Sequence, residues 1–333
     1  MQHVFRSLTH RRVPIGALFG VATAAAIALA FAPAGNGRTL ATWSAQSSGT
    51  TSGLEGVSFA DGLHGWAVGQ SGGTIVATSN GGATWNPQTS GVSQGLYRVQ
   101  FLDTKHGWTV GTNGTILFTY NGGSTWTLQP SGTTQYFAGG VSFADPLHGW
   151  VVGGNGAILA TTNSGQSWSA QTSGTTNELM GVAFPRHKVQ LAGPYHGWAV
   201  GRNGTILATT DSGATWVAET SGTTQTLTSV SAVDDQHAWA VGSNGTIVHT
   251  ANGGVTWTAQ SSGTTKKIHD VFFLDTQHGW AVGRTGLILV TSSGGATWTA
   301  QTSGTGWDLN RVSFVTTTHG WAVGDDGTIL VYS

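Results

Sequence analysis

Apolar residues come in short alternating runs, each cut off by a Gly-rich or polar turn. Leu54-Glu-Gly-Val-Ser-Phe59 alternates and leads into the turn Ala-Asp-Gly-Leu-His-Gly. Trp66-Ala-Val68 follows, then a Gly-rich turn, then Thr74-Ile-Val-Ala-Thr78, and after Asn-Gly-Gly a fourth run starts at Trp85. A period of two over a few residues predicts strands with one buried face. The Asn-Gly and Gly-Gly pairs between them supply the positive φ angles that tight hairpins need, and the Gly density excludes helix nearly everywhere.

The same order of runs recurs along the chain. His64-Gly-Trp-Ala-Val-Gly69 returns at His106, His148, His196, His237 (as His-Ala-Trp), His278 and His319, at spacings of 42, 42, 48, 41, 41 and 41 residues. A second signature, Thr-x-Asn-Gly-Gly-x-Thr-Trp, ends at Trp85 and recurs with small changes at Trp126, Trp168, Trp216, Trp257 and Trp298. Four-stranded units of about 40–45 residues, each too small to bury both its faces, predict propeller blades packed around an axis. The chain stops at Gly327-Thr-Ile-Leu-Val-Tyr332, the third strand of the last unit, while an orphan fourth strand stands near Trp43. The expectation is an all-β, seven-bladed propeller over residues 35–333, its ring closed by an N-terminal strand that completes the last blade. An open array would need polar capping repeats, and the sequence has none.

The second signature matches the Asp-box, or bacterial neuraminidase repeat. Asp211 keeps the Asp; Asn80, Asn121, Asn163, Asn252 and Ser293 take its place elsewhere. A short polar side chain there can bond backbone amides across the hairpin while the following Trp buries its ring. A feature repeated in every blade is architecture, so these residues read as structural. The seven His-Gly-Trp histidines suggest metal at first sight, but one per blade spreads them round a ring, whereas ligands must converge at about 2 Å from one ion. Turn capping and inter-blade packing is the expected role, with no metal and no cofactor.

Positions that differ between blades carry the individual information. After Val-Gly the residues are Gln70, Thr112, Gly154, Arg202, Ser243, Arg284 and Asp325; before the inner-strand Val they are Gly56, Arg98, Gly140, Gly181, Ser229, Asp270 and Arg311. Both columns are expected on one face near the central opening, with Lys266 and Lys267 in a connecting loop beside them. Arg98, Arg202, Arg284, Arg311, Lys266 and Lys267 are thus candidate partner-binding residues, since the planar guanidinium suits carboxylates, phosphates and aromatic rings. Asp325, Asp326, Glu178 and Asp270 fall in the same region, so part of this charge is expected to pair internally. The 48-residue interval locates an insertion, Pro185–Tyr195, on the opposite face. Arg186, His187 and Lys188 within it form a second candidate contact loop, although length changes in surface loops are often silent.

Composition narrows the function. With 13 Lys+Arg against 14 Asp+Glu, 8% of the chain is charged and the net charge is −1, so nothing attracts a nucleic acid. No Cys is present, which removes disulfides, thiolate metal sites and a Cys nucleophile. Arg6, Arg11 and Arg12 precede an uncharged run to Ala32 and a small-residue A-x-A ending, which reads as an export signal over residues 1–34, twin-arginine or general, with an uncleaved anchor as the alternative. A periplasmic or extracellular monomer is expected.

Gly-Trp-Ala-Val-Gly with Gly-Thr-Ile-Leu-x-Thr and a degenerate Asp-box, seven times behind an export signal, resembles the photosystem II stability/assembly factor family over about residues 39–333. The resemblance implies a lumenal or periplasmic, non-enzymatic factor that holds newly made reaction-centre subunits and uses an arginine-rich surface; by column, Arg98, Arg202, Arg284 and Arg311 would form it here. That surface is diluted by Asp and Gly. Two other readings stand beside it. A sialidase-type glycosidase also carries Asp-boxes, but needs a Tyr nucleophile, a Glu partner and an acid/base at the axis; Glu178 with Tyr97 or Tyr136 is the nearest set. A propeller that binds a polysaccharide or surface protein would use exposed aromatics, Trp307 first among them, unless that ring packs at the closure seam.

Overall fold

The computed structural model describes residues 41–185 and 193–333, so the expected export signal and Arg186, His187 and Lys188 lie outside the described residues. The described strands form seven antiparallel four-stranded sheets, each a run of consecutive strands except the last. Blade 1 is Leu54–Phe59, Gly65–Gly69, Ile75–Thr78 and Asn86–Gln88, and blades 2–6 repeat it. The seven-bladed propeller read from the repeats is the observed architecture. Second and third strands are joined by the tight turns expected of Asn-Gly: Asn113 and Gly114 have φ of 52° and 69°, and Thr115 N–H donates to Thr112 O.

Blade 7 combines the two ends of the chain. Trp43–Gln46 pairs antiparallel with Ile329–Tyr332, Trp43 opposite Tyr332 and Gln46 opposite Ile329. The strand covers an edge that would otherwise expose a row of unpaired backbone groups. Between blades 7 and 1 the inner strands are tied by a hydrogen bond from Phe59 N–H to Ser313 Oγ, 3.3 Å, the same link that joins Phe101 to Ser58 at 2.9 Å.

Six of the seven seams between blades hold a Trp stacked on the Phe of the next blade. Trp66 of blade 1 lies on Phe101 of blade 2 with ring centroids 3.5 Å apart, and Trp126 meets the edge of the same Phe at 5.8 Å. The other face of Phe101 is covered by Gly107, where a Cβ would come within 2.5 Å of the ring. This explains the Gly of His-Gly-Trp: it is a slot for the Phe of its own blade. Burial of about 200 Å² by each Trp gives roughly 5 kcal/mol before entropy is subtracted. The exception supports the rule. Blade 5 has Ala238 in the Gly position and Ala232 in the Phe position, so the ring and the slot disappear together.

A polar ladder runs outside these stacks. Gln88, on the outer strand of blade 1, accepts from Trp126 Nε1 (3.1 Å) and donates to Gly122 O (3.0 Å), which also accepts from Trp66 Nε1 (3.0 Å). Trp43 enters the same scheme by donating to Gln301 Oε1 at 2.8 Å, so the N-terminal strand closes the ladder as well as the sheet.

Candidate functional site

The signature residues take structural places. In blade 1 the Asn80 side-chain oxygen accepts from Thr84 N–H and Thr78 Oγ1, both at 2.9 Å, while its Nδ2 donates to Thr84 Oγ1 at 3.0 Å. Asn121, Asn163, Asp211, Asn252 and Ser293 make the corresponding bonds to Thr125, Ser167, Thr215, Thr256 and Thr297. Five of the seven signature histidines cap turns. His64 Nδ1 is 2.9 Å from Asp61, whose carboxylate also accepts the N–H of Leu63 and His64 at 2.8 and 2.7 Å. His106, His148, His237 and His278 pair likewise with Asp103, Asp145, Asp234 and Asp275.

The axial site arises from a repeated irregularity of the innermost strands. In blades 1, 2, 4, 5, 6 and 7 the pairing of first and second strands slips by one residue, between Leu54 and Gly56, Leu96 and Arg98, and their equivalents. The extra residues are Glu55, Tyr97, Met180, Thr228, His269 and Asn310, and all six line an axial cavity of about 250 Å³. A bulge turns its strand locally and re-aims side chains, so two successive residues of one strand serve the axis. The sequence columns hold only the second of each pair, since strict alternation assigns neighbours to opposite faces; of the first, Tyr97 alone is a sequence candidate for the axis.

Charge is concentrated around this cavity. Arg98 lines it and reaches across the axis, its Nη2 3.5 Å from Met180 O. Arg311 is only 7% exposed; its Nη1 donates to Asn310 O at 2.8 Å and His269 O at 3.1 Å and stands 3.3 Å from Asp270 Oδ1. Asp270, equally buried, also accepts from Ser229 Oγ (2.6 Å) and Val312 N–H (3.0 Å). Burial pushes the Asp270 carboxyl up to about 6, against the pull of Ser229 and Arg98. Arg311 thus lines the axial cavity near the opening, as its column implies, with most of its surface buried.

Above the cavity, second-to-third-strand turns meet the loops that join successive blades. Arg202 N–H donates to Glu178 O and Arg284 N–H to Lys267 O, both at 3.0 Å. Arg202 Nε lies 2.6 Å from Glu178 and Arg284 Nε 3.8 Å from Asp308, yet the two arginines stay 58% and 64% exposed. Burial lowers the Lys267 pKa, and repulsion from Arg284 and Arg202 lowers it further, which records the crowding of three cations on one rim. Lys266 is exposed and donates to Thr285 O at 3.4 Å. Trp307 is on the same rim, its carbonyl accepting from Gly286 N–H at 2.8 Å, and its side chain is exposed rather than packed at the closure seam. Internal pairing of charge takes up Glu178, with Arg202, and Asp270, with Arg311, while Asp325 accepts from Asn310 at 3.0 Å.

The set considered for a glycosidase is brought together, Glu178 acting on Tyr136 along with Tyr97, but its members are otherwise engaged. Glu178 is engaged by Arg202, while Tyr97 and Tyr136 pack edge to face at 5.1 Å. Burial and the neighbouring Tyr97 raise the Tyr136 pKa, the opposite of what a phenolate nucleophile requires. Among the described residues no group of three or more His, Asp or Glu side chains is arranged to hold a metal ion, and no helix is long and apolar enough to cross a membrane.

Seven four-stranded blades, six of them with an Asp-box turn, a closing blade shared by the two ends of the described chain and a charged axial face define an Asp-box propeller. The chain belongs to the family described as Photosynthesis system II assembly factor YCF48, whose model matches residues 90–170, 132–218, 172–261, 219–299 and 259–333. Among solved structures, one described as YCF48 bound to D1 peptide is 23% identical with a TM-score of 0.71, covering 87% of this chain and 94% of that one. YCF48 from Cyanidioschyzon merolae is 22% identical with a TM-score of 0.70, covering 87% and 98%. A GH74 xyloglucanase from Xanthomonas campestris shares 13% identity with a TM-score of 0.68, and the match takes in 86% of this chain but 53% of that enzyme. At these identities the likeness is one of fold. No curated protein matches the sequence significantly.

Proposed function

We propose that this chain is an exported, non-enzymatic binding propeller that holds a protein partner on the rim formed by Arg202, Arg284, Lys266 and Lys267, with Arg98 at the floor and Trp307 beside it. The carrying observation is that Arg202 and Arg284 keep more than half their surface free although each has an acidic neighbour. An exposed pair of this kind contributes little to stability, so these charges are free to meet an acidic segment or a chain-terminal carboxylate, which a guanidinium can grip with two parallel hydrogen bonds. Family membership supports the choice of partner: a YCF48 has been solved with a D1 peptide bound, and a membrane-protein subunit of that kind is the partner class we assign here. The raised Tyr136 and the engaged Glu178 speak against the glycosidase reading.

The test is capture by the tagged full-length protein from detergent-solubilised membranes of its own host, read by mass spectrometry and by the absorption spectrum of the eluate. Reaction-centre subunits or pigment in the eluate support the assembly role. An eluate holding only envelope proteins or glycan refutes it and favours the second reading, a surface-binding propeller, for which the exposed ring of Trp307 is the supporting observation.

A further inference from the structure

The seams between blades follow one plan, and the seam between blades 4 and 5 departs from it at the ladder glutamine, the inner Trp donor and the Phe. Gln46, Gln88, Gln129, Gln171, Gln260 and Gln301 occupy the ladder position on six outer strands; on blade 4 it is Glu219. Glu219 Oε2 accepts from Trp257 Nε1 at 2.8 Å, as the glutamines do for their own Trp. A carboxylate, however, has no N–H to give to Gly253 O, the acceptor equivalent to Gly122 O. Trp198, which should donate to that same carbonyl, faces the Glu219 carboxyl but makes no hydrogen bond of normal geometry. Trp280 shares this condition for another reason: the next blade has no box turn among the described residues. The 4/5 seam also lacks the Phe, replaced by Ala232, and Trp198 stacks instead on His196 with centroids 4.3 Å apart. His196 follows the insertion and has no Asp three residues before it.

We propose that the seam between blades 4 and 5 is a pH-sensitive joint in the ring, closed when Glu219 is protonated and loosened when it ionises. A protonated carboxyl has the shape of the Gln amide, with an O–H to donate to Gly253 O and a C=O to accept from Trp257. The ionised form sets a carboxylate against a carbonyl in a half-enclosed slot, where a Cβ on Gly254 would lie 2.0 Å from Glu219 Oε1. Burial pushes Glu219 up to about 7, and the indoles of Trp257 and Trp198 only partly offset it. The titratable group packed against the same turn is the His196 ring, which Gly253 approaches along with the Asp235 backbone carbonyl, and the Asp235 charge opposes the burial that lowers the His196 pKa. Glu219 is raised in the folded state, so its contribution is complete below about 4.5 and is lost as pH rises through about 7. His196 is lowered, so its contribution has the other sign and is lost as pH falls below its ordinary 6.5.

The experiment uses the full chain and two readouts. Indole N–H resonances of the wild type are followed by NMR from pH 5 to 9, and melting curves of the wild type and Glu219→Gln are compared over the same range. The expected result is a single titration near neutrality in the Trp257 indole that vanishes in the variant, and a wild-type Tm that falls by a few degrees relative to Glu219→Gln as pH rises. Because the substitution restores the residue found in the other six seams, the variant is expected to fold. An untitrating Trp257 indole, or identical pH profiles for the two proteins, overturns the proposal.

Discussion

Asp270 and Arg311 face each other from adjacent inner strands, Oδ1 to Nη1 at 3.3 Å, and both are less than a tenth exposed. With Arg98 drawing on the same carboxylate, one buried acid serves two guanidinium groups around the axis. Removing one partner of a buried pair leaves an uncompensated charge, which typically costs about 3–5 kcal/mol. Asp270→Asn should therefore lower stability by that order at pH 7.5, measured by denaturant unfolding. A loss below about 1 kcal/mol would mean that water already neutralises Arg98 and Arg311.

The Phe and Gly of each blade form a lock. Gly107→Ala drives a methyl to within 2.5 Å of the Phe101 ring, and overpacking of this kind costs about 1–3 kcal/mol. In blade 5, where Ala232 stands in the Phe position, Ala238→Gly should leave the Tm nearly unchanged. Equal effects at the two sites would show that the Gly serves the backbone and not the ring.

Closure is tested by deletion of residues 41–46, which removes the strand paired with Ile329–Tyr332 and the Trp43 bond to Gln301. The expected outcome is a sharply lower Tm and association between copies through the bared edge. An unchanged Tm in a monomeric variant would refute closure by this strand.

The box of blade 4 has its own acid dependence. Hydrogen bonds from Thr215 hold Asp211 below the usual carboxylate range, so its contribution is present above the ordinary value near 3.8 and is lost as pH falls through the folded one. Asp211→Asn, the residue found in four other boxes, should match the wild type at neutral pH and lose less stability on acidification below about pH 4. Parallel acid melts of the two proteins check this.

The architecture was legible because its determinants are local and repeated: hairpin turns, alternation, and a strand missing at one end that is present at the other. The site was legible only in part. Arg98 and Arg202 could be placed near the opening by column, but Met180 and His269 could not, because a one-residue bulge breaks the period on which the placement relied. Burial of Arg311 was hidden for a different reason. Its partner Asp270 is 41 residues away in the neighbouring blade, and a column shows which residues share a level without showing which of them pair.

The central claim, that the rim of Arg202 and Arg284 captures a protein partner, is tested most directly by calorimetric titration of a D1 peptide, the ligand of the solved YCF48 complex, into the full chain. The wild type and Arg202→Glu/Arg284→Glu should be compared at low and moderate salt. Both side chains are more than half exposed, so the variant should keep the wild-type Tm. The account predicts saturable binding that weakens with salt and falls at least tenfold in the variant. Equal affinity of the two proteins, or no binding by a folded wild type, would contradict it.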